Sequence, residues 1–396
     1  MLANFFNSAE YRKSYEITFS YVNSALYKKG YEQRVTLPTK AFPIPCLDLS
    51  SQNRLLIWMP RFVRRVLMAL LRLLLTLPLL MYQVFVLYML FKEIQPLILH
   101  INNGGYPAAL SARSAAIAGK LAGVKWVVMV VNNMAADYSH YSRWLDYPLD
   151  RIVMRCVNIF ITGSKAAQSQ LTQVLRLSAD QSLAIHNGIS PRNLTTSAVN
   201  TRQRLGLDDF KGVVFGIVAL LIPRKGHQVL LNAILHLVNE GKIVGQEFKI
   251  LIEGDGPLRQ ELINFVTTNN LTPWVNFVGI ESNIFNFMAA LDAVILPSIQ
   301  DEDFPNVILE GMALGKPAIA SRLAGIQEQI LDGETGFLVE ARDSEGLAKA
   351  LHYFVENPGQ LEVMGQVALG RFNDNFTSEI ALKNYNNMYE SLLKSS

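Results

Sequence analysis

The stretch Pro297-Ser-Ile-Gln-Asp-Glu-Asp-Phe-Pro-Asn-Val-Ile-Leu-Glu-Gly-Met-Ala-Leu-Gly-Lys-Pro317 follows the apolar run Ala293-Val-Ile-Leu296. Together they spell strand, loop and helix. Pro305 suits the first helical position, Gly315 suits the residue after the last turn, and Pro317 bars continuation. The helix is therefore short, about ten residues. The N–H groups at its start, from Asn306 and Val307 onward, lack intrahelical partners and form a positive end suited to a diphosphate. Glu302 stands just before this helix and Glu310 about two turns into it. Carboxylates so placed are natural acceptors for paired hydroxyls.

Working outward, short β-rich runs alternate with helical stretches on both sides. One series comprises Val213-Val-Phe-Gly-Ile-Val-Ala219, Phe248-Lys-Ile-Leu-Ile252, Val275-Asn-Phe-Val278, Ala293 to Leu296 and Pro317-Ala-Ile-Ala320. An earlier series comprises Pro96 to Ile101, a helix from Ala108 to Ala122, Trp126 to Val131 and Ile159 to Thr162. Such alternation builds βαβ units on parallel sheets, so the fold class is α/β with two doubly wound domains. Polar residues 190–204 lack a hydrophobic period and read as the linker. The expected organisation is a first domain over 1–189, a second over 205–375, and a C-terminal helix over 376–396 that returns to the first domain.

The motif Glu302-Asp-Phe-Pro-Asn-Val-Ile-Leu-Glu310 resembles the Glu-x7-Glu motif of group 1 (family 4) retaining glycosyltransferases of the GT-B fold. Its surroundings resemble that family as well: Gly315-Lys-Pro317, Gly325-Ile-Gln-Glu328, Asp332-Gly-Glu-Thr-Gly336, Ala219-Leu-Leu-Ile-Pro-Arg-Lys225-Gly-His227, Glu253-Gly-Asp-Gly-Pro257 and Ile185-His-Asn-Gly-Ile189. Taken singly, Gly-Asp-Gly-Pro is an ordinary turn. In this order the set covers nearly all of the second half.

The resemblance implies two facing Rossmann-like domains with a cleft between them and a nucleoside diphosphate sugar, uridine-linked, as co-substrate. By the same resemblance Arg224 and Lys225 neutralise the diphosphate. Glu302 binds the donor sugar near the reacting carbon, the amides of Phe304, Asn306 and Val307 hold phosphates and sugar, and Glu310 holds the ribose. It also implies that no cofactor and no metal are needed, since cations and a helix end do that work. Consistent with this, the six histidines contain no His-x-x-x-His spacing.

Three positions depart from the family pattern. Leu220 stands where an arginine is usual. Asn132 stands where many members have a histidine, and an asparagine is no general base. Retaining chemistry assisted by the leaving phosphate leaves Asn132 as a candidate catalytic residue all the same. At the start, Met1 to Phe6 and Asn7 to Glu10 replace a full first strand and Gly-Gly loop. His100-Ile-Asn102-Asn-Gly104-Gly105-Tyr106 supplies an alternative glycine turn on the acceptor side, or a plain strand-to-helix turn.

Composition narrows the partners. With 36 basic and 33 acidic residues among 396, the net charge of +3 is too balanced for a nucleic-acid binder. The two cysteines are far apart, and the N-terminus has no basic and apolar signal pattern, so a cytoplasmic protein is expected. Arg54 to Phe91 carries Arg54, Arg61, Arg64, Arg65 and Arg72, no acid, and a 19-residue uncharged run from Leu73. It reads as an interfacial element on anionic lipid, as two core helices broken at Pro78, or as a membrane span. The interfacial reading places the protein at the inner face of the cell membrane, acting on a growing glycan or a polyprenyl-linked acceptor. Competing functions are an inactive donor-binding scaffold and another GT-B enzyme such as a sugar-nucleotide epimerase.

Overall fold

The computed structural model describes residues 7–45, 59–139, 141–243 and 247–394. Met1 to Phe6, Cys46 and Arg54 lie outside them. The chain divides into two units: Gly163–Ala167 with Ile185–Asn387, and the remainder, which takes in Gln168–Ala184 and the residues from Met388 onward.

In the first unit, β1 (Thr18–Val22) and β2 (Lys40–Ile44) pair in parallel as a separate two-stranded sheet. Neither strand is expected from the sequence, because both are short and their residues are only partly buried. Asn7 to Glu10 lead into a helix at Ala9–Ser14 capped by Ser8, not into a strand. The main sheet runs β3 (Ile98–Asn103), β4 (Trp126–Val131), β5 (Ile159–Thr162) and β6 (Ser182–Ala184), all parallel. From Val127 onward β4 is wholly buried, as a parallel strand covered on both faces should be.

The helix Leu110–Ala122 lies so close to this sheet that a Cβ at Gly119 would come within 2.6 Å of Leu99 Cδ2. Its outer partner is the helix Arg61–Ile94, which is continuous through Pro78. Two core helices broken at that proline are therefore not formed. Pro78 is exposed, so the missing amide bond does not interrupt a buried ladder. Gln83, Leu87 and Phe91 face inward, and Gln83 Oε1 accepts from Ser114 at 3.1 Å. The opposite face leaves Leu74, Leu77, Met81, Phe85 and Met89 exposed, each above 50%.

The second unit is a six-stranded parallel sheet of β7 (Val213–Val218), β8 (Phe248–Glu253), β9 (Val275–Gly279), β10 (Ala293–Leu296), β11 (Ala318–Ser321) and β12 (Gly336–Val339). Their spatial order is β12-β11-β10-β7-β8-β9, so the winding reverses between β7 and β10. In doubly wound sheets ligands bind at the carboxyl ends of the strands flanking that switch point. Phe215, Ile217, Ile250, Ile252 and Ile295 form the core with Leu230, Ile234 and Leu351 from flanking helices. Each such side chain contributes about 1.5–3 kcal/mol by leaving water.

Residues 190–204 are not a free linker. Ser197 caps a helix over Ala198–Arg204, and Arg202 binds the Ala290 carbonyl at 2.8 Å and Asp292 at 2.7 Å. Thr195 N donates to Asn286 Oδ1 at 2.9 Å. The segment lacks a hydrophobic period because its attachment is mostly polar. The C-terminal helix spans Ser378–Lys394.

Candidate functional site

Two loops meet at the carboxyl ends of β7 and β10. After β7 the chain runs through Ala219 to Gly226 into the helix His227–Asn239; after β10 it runs from Pro297 to Pro305 into the helix Asn306–Ala313. Gly226 has φ +72°, and a Cβ there would lie 1.8 Å from the Pro297 carbonyl oxygen, so only glycine permits the approach. Ile299 N donates to the Arg224 carbonyl at 2.8 Å, stitching the loops together.

That stitching brings Glu302, Arg224 and Lys225 into one cluster. Glu302 Oε1 accepts from Ser298 Oγ at 3.0 Å, from Arg224 NH1 at 3.1 Å and from Lys225 Nζ. Arg224 NH1 also holds the Asp301 carbonyl at 3.1 Å. Glu302 is only 8% exposed, so a lone carboxylate there would be costly. Two cations on one carboxylate leave a net positive charge, suited to an anionic ligand. Leu220 is exposed and adds no cation.

The helix after Pro305 is eight residues long, has no side-chain cap, and ends before Gly315 at φ +65°. Pro305 is its cap, one position earlier than the sequence pattern indicates. Asn306 is exposed, whereas Val307 packs between two core clusters, so at Val307 only the backbone amide is available for recognition. Phe304 is buried against His186, with ring centroids 4.8 Å apart and planes 11° from parallel. Glu310 lies further along the same helix. Burial pushes its carboxyl up, and the charge of Arg192 opposes that shift.

The acceptor-side candidates form a separate cluster in the first unit. Asn132 Nδ2 donates to Asn102 Oδ1 at 3.0 Å and to the Asn103 carbonyl at 2.6 Å, while Asn132 N donates to the Gly104 carbonyl at 2.6 Å. A Cβ at Gly105 would stand 3.3 Å from the Met134 carbonyl oxygen. Just beyond, Tyr106 and Tyr138 donate to Asp150 at 3.1 and 2.6 Å, and Arg143 donates to it at 2.9 Å.

Sequence reasoning missed the support beneath the loop that carries Glu302. Ser164 Oγ donates to Asp303 Oδ1 and itself accepts from Ala167 N at 3.0 Å. Glu328 accepts from the amides of Lys165 and Ala166, each at 3.0 Å, and from His186 Nε2 at 2.9 Å. Burial alone would raise the Glu328 carboxyl, but these amides outweigh it and hold it below its ordinary range. Asp303, His186 and Glu328 all lie inside the quoted motifs; Ser164 has no signal beyond preceding a helix.

Residues 212–357 match the family described as glycosyl transferases group 1. The chain is 28% identical over 234 residues to an uncharacterised glycosyltransferase of Methanocaldococcus jannaschii, covering 59% of each protein. It is 24% identical over 261 residues to the capsular polysaccharide biosynthesis glycosyltransferase CapM of Staphylococcus aureus, covering 63% of this chain and 66% of CapM. It thus spans about three fifths to two thirds of the length of these curated relatives. The crystal structure of Anabaena HepE in complex with UDP superposes with a TM-score of 0.72 at 20% identity, over 98% of this chain and 95% of HepE. Residues 212–357 thus carry the likeness to group 1 glycosyltransferases, and the chain has the GT-B fold of two Rossmann-like domains.

Proposed function

We propose that this protein is a retaining glycosyltransferase that moves a sugar from a uridine diphosphate donor to a growing glycan or a polyprenyl-linked acceptor in cell-surface polysaccharide synthesis. The observation that carries this reading is the Glu302 carboxylate held by Arg224, Lys225 and Ser298 beside an uncapped helix start. The crystallised HepE holds UDP, and CapM is named for capsular polysaccharide synthesis, which favours the same donor and pathway class.

In this reading the bond between the anomeric carbon and the diphosphate oxygen breaks, and an acceptor hydroxyl attacks from the same face. Its proton passes to the leaving phosphate. Lys225, Arg224 and the N–H groups of Phe304, Asn306 and Val307 stabilise the charge that grows on that phosphate, without a metal. Glu302 orients the sugar, Glu310 the ribose, and Asn132, Asn102, Gly104 and Gly105 the acceptor. A panel of sugar nucleotides tests this. The expected result is acceptor-dependent release of UDP with the donor's anomeric configuration kept in the product by NMR. Inverted product would sink retention, and epimerised donor formed without acceptor would favour an epimerase.

The reading includes a membrane-bound acceptor, met at the inner face of the cell membrane. The exposed stripe of Leu74, Leu77, Met81, Phe85 and Met89 is apolar, and the helix carries four arginines and no acid before Glu93. Leu74–Ile94 also has a mean hydropathy of 2.0. Such a face lies in the headgroup region of anionic lipid. In flotation assays the protein should rise with anionic vesicles, less so as salt increases. Leu77→Glu with Phe85→Glu should lower binding at least about tenfold, since two apolar side chains are lost from the bilayer. Binding indifferent to lipid charge and to both substitutions would refute this part.

A further inference from the structure

Asp303 sits inside the donor motif yet touches none of the groups that hold Glu302. It is 3% exposed, and its Oδ1 accepts from Ser164 Oγ. A carboxylate this buried is retained at a cost, which calls for a reason. The residue before Glu302 is also under strain: Asp301 has φ +55°, a left-handed conformation rare for a residue with a side chain. The loop bearing Glu302 therefore does not hold its shape by local preference alone.

What surrounds Asp303 is a junction of four segments. Ser164 is completely buried and caps the helix Lys165–Leu175 through Ala167 N. Gly325 is packed so tightly that a Cβ would lie 2.5 Å from Ser164 Cβ and 2.6 Å from the Asp303 carbonyl oxygen. At Gly163 a Cβ would lie 3.1 Å from Asp303 Oδ2. His186 covers Phe304 and binds Glu328, and Arg371 clasps the Glu328 and Gln329 carbonyls at 2.7 and 2.9 Å. The junction can accept no extra methyl group, so the Asp303 bond to Ser164 locates the donor loop against rigid neighbours.

We propose that Asp303 is a positioning residue: its bond to Ser164 holds the loop from Asp301 to Val307, and with it Glu302 and the loop amides, in the geometry that receives the donor. This rests on the donor-site reading above. Asp303 is not a catalytic residue, because its carboxylate is 3% exposed and engaged by the buried Ser164 hydroxyl.

The protonation state of Asp303 offers a readout that simple packing would lack. Burial pushes its carboxyl up to about 6; the Ser164 bond opposes the shift, the Glu328 charge adds to it, and His186 and the Gly163 amide oppose it. The charged groups facing it are thus Glu328 and His186, with Lys165 exposed at the helix start and Arg371 behind Glu328. Because the folded pKa is raised, the folded state binds the proton more tightly, and carrying the charge costs stability as pH rises toward about 6. The charged form accepts the stronger hydrogen bond from Ser164.

The test measures donor affinity by calorimetry with UDP-sugar, whose diphosphate does not titrate in this range, on the full chain. Ser164→Ala should weaken binding about 5- to 30-fold, with kcat falling less than kcat/KM, because ground-state positioning is lost. Asp303→Ala should do the same. Asp303→Asn keeps an acceptor for Ser164 but not its charge, and should bind about 3- to 10-fold more weakly than wild type near pH 7.5. Wild-type affinity should fall about 3- to 10-fold from pH 7.5 to pH 5, and this step should vanish in Asp303→Asn.

A Ser164→Ala protein that melts normally and binds as wild type would overturn the proposal. So would a pH step that survives Asp303→Asn. If Asp303→Ala does not fold, Ser164→Ala and Asp303→Asn decide the matter. Failure of the wild type to bind any nucleotide sugar would remove the donor-site reading, and the proposal with it, before any variant is compared.

Discussion

Alanine at Lys225 should cut kcat/KM for the sugar donor by about 100- to 1,000-fold, the size of effect seen when one donor to a developing anion is removed. Lys225 is the more buried of the two cations on Glu302, with 15% of its side chain exposed against 33% for Arg224. Its charge is therefore less screened by water. Arg224→Ala should follow with a smaller loss. Glu302→Ala should lower turnover comparably, but by a different route: it removes the acceptor for sugar hydroxyls and leaves two cations without their carboxylate. Stability separates these cases. After Lys225→Ala, Glu302 keeps Arg224 and Ser298, so melting should change little, whereas Glu302→Ala unbalances a buried cluster. UDP release measured with and without acceptor checks both variants. Turnover within about threefold of wild type in both would place the donor site elsewhere.

Asp150→Ala should destabilise the first unit by about 3–5 kcal/mol, the cost of leaving buried charge uncompensated. Asp150 is fully buried and accepts from Tyr106, Tyr138 and Arg143, with Arg113 NH1 3.9 Å away. Asp146 still meets Arg113 at 2.7 Å and Arg143 at 3.1 Å, so part of the charge stays balanced. The two phenols lose their acceptor as well. Burial first, and then Asp150, pushes the Tyr138 hydroxyl up to about 12 and the Tyr106 hydroxyl higher still. Both remain protonated donors at any working pH. A melting temperature lower by roughly 6–20 °C is expected for a unit of this size. Because Tyr106 directly follows Gly104 and Gly105, acceptor KM should rise more than donor KM in whatever fraction remains folded. A melting temperature within about 2 °C of wild type would show that the network is not holding the unit together.

The second unit around Glu302 was legible in the sequence because its elements are specified locally. Pro305, Gly315 and Pro317 bracket a helix wherever they occur at that spacing, and Glu302 and Glu310 keep their places on it. The alternation of apolar runs likewise spells a parallel sheet without reference to anything distant. Fully buried strands such as β4 and β10 announce themselves, whereas β1 and β2, only partly buried, do not. The linker looked structureless for a related reason: Arg202, Thr195 and Ser197 hold it through hydrogen bonds, and those leave no hydrophobic period.

Other features depend on residues far apart in the chain, and only the tertiary structure could decide them. Glu302 meets Arg224 and Lys225 across 78 and 77 positions, through the reversal of strand order between β7 and β10. Ser164 meets Asp303 across 139 positions, and His186 meets Glu328 across 142. Nor could composition choose the state of the segment around Pro78. A proline breaks a helix where its neighbours are buried and is carried where the backbone is exposed, so the continuous helix with one face in the core and one bare apolar face is a consequence of packing. The chain alone therefore determined where Glu302, Glu310 and the helix start fall along the motif. The fold determined how they are held, because close packing and buried hydrogen bonds are properties of what surrounds a residue and not of the residue itself.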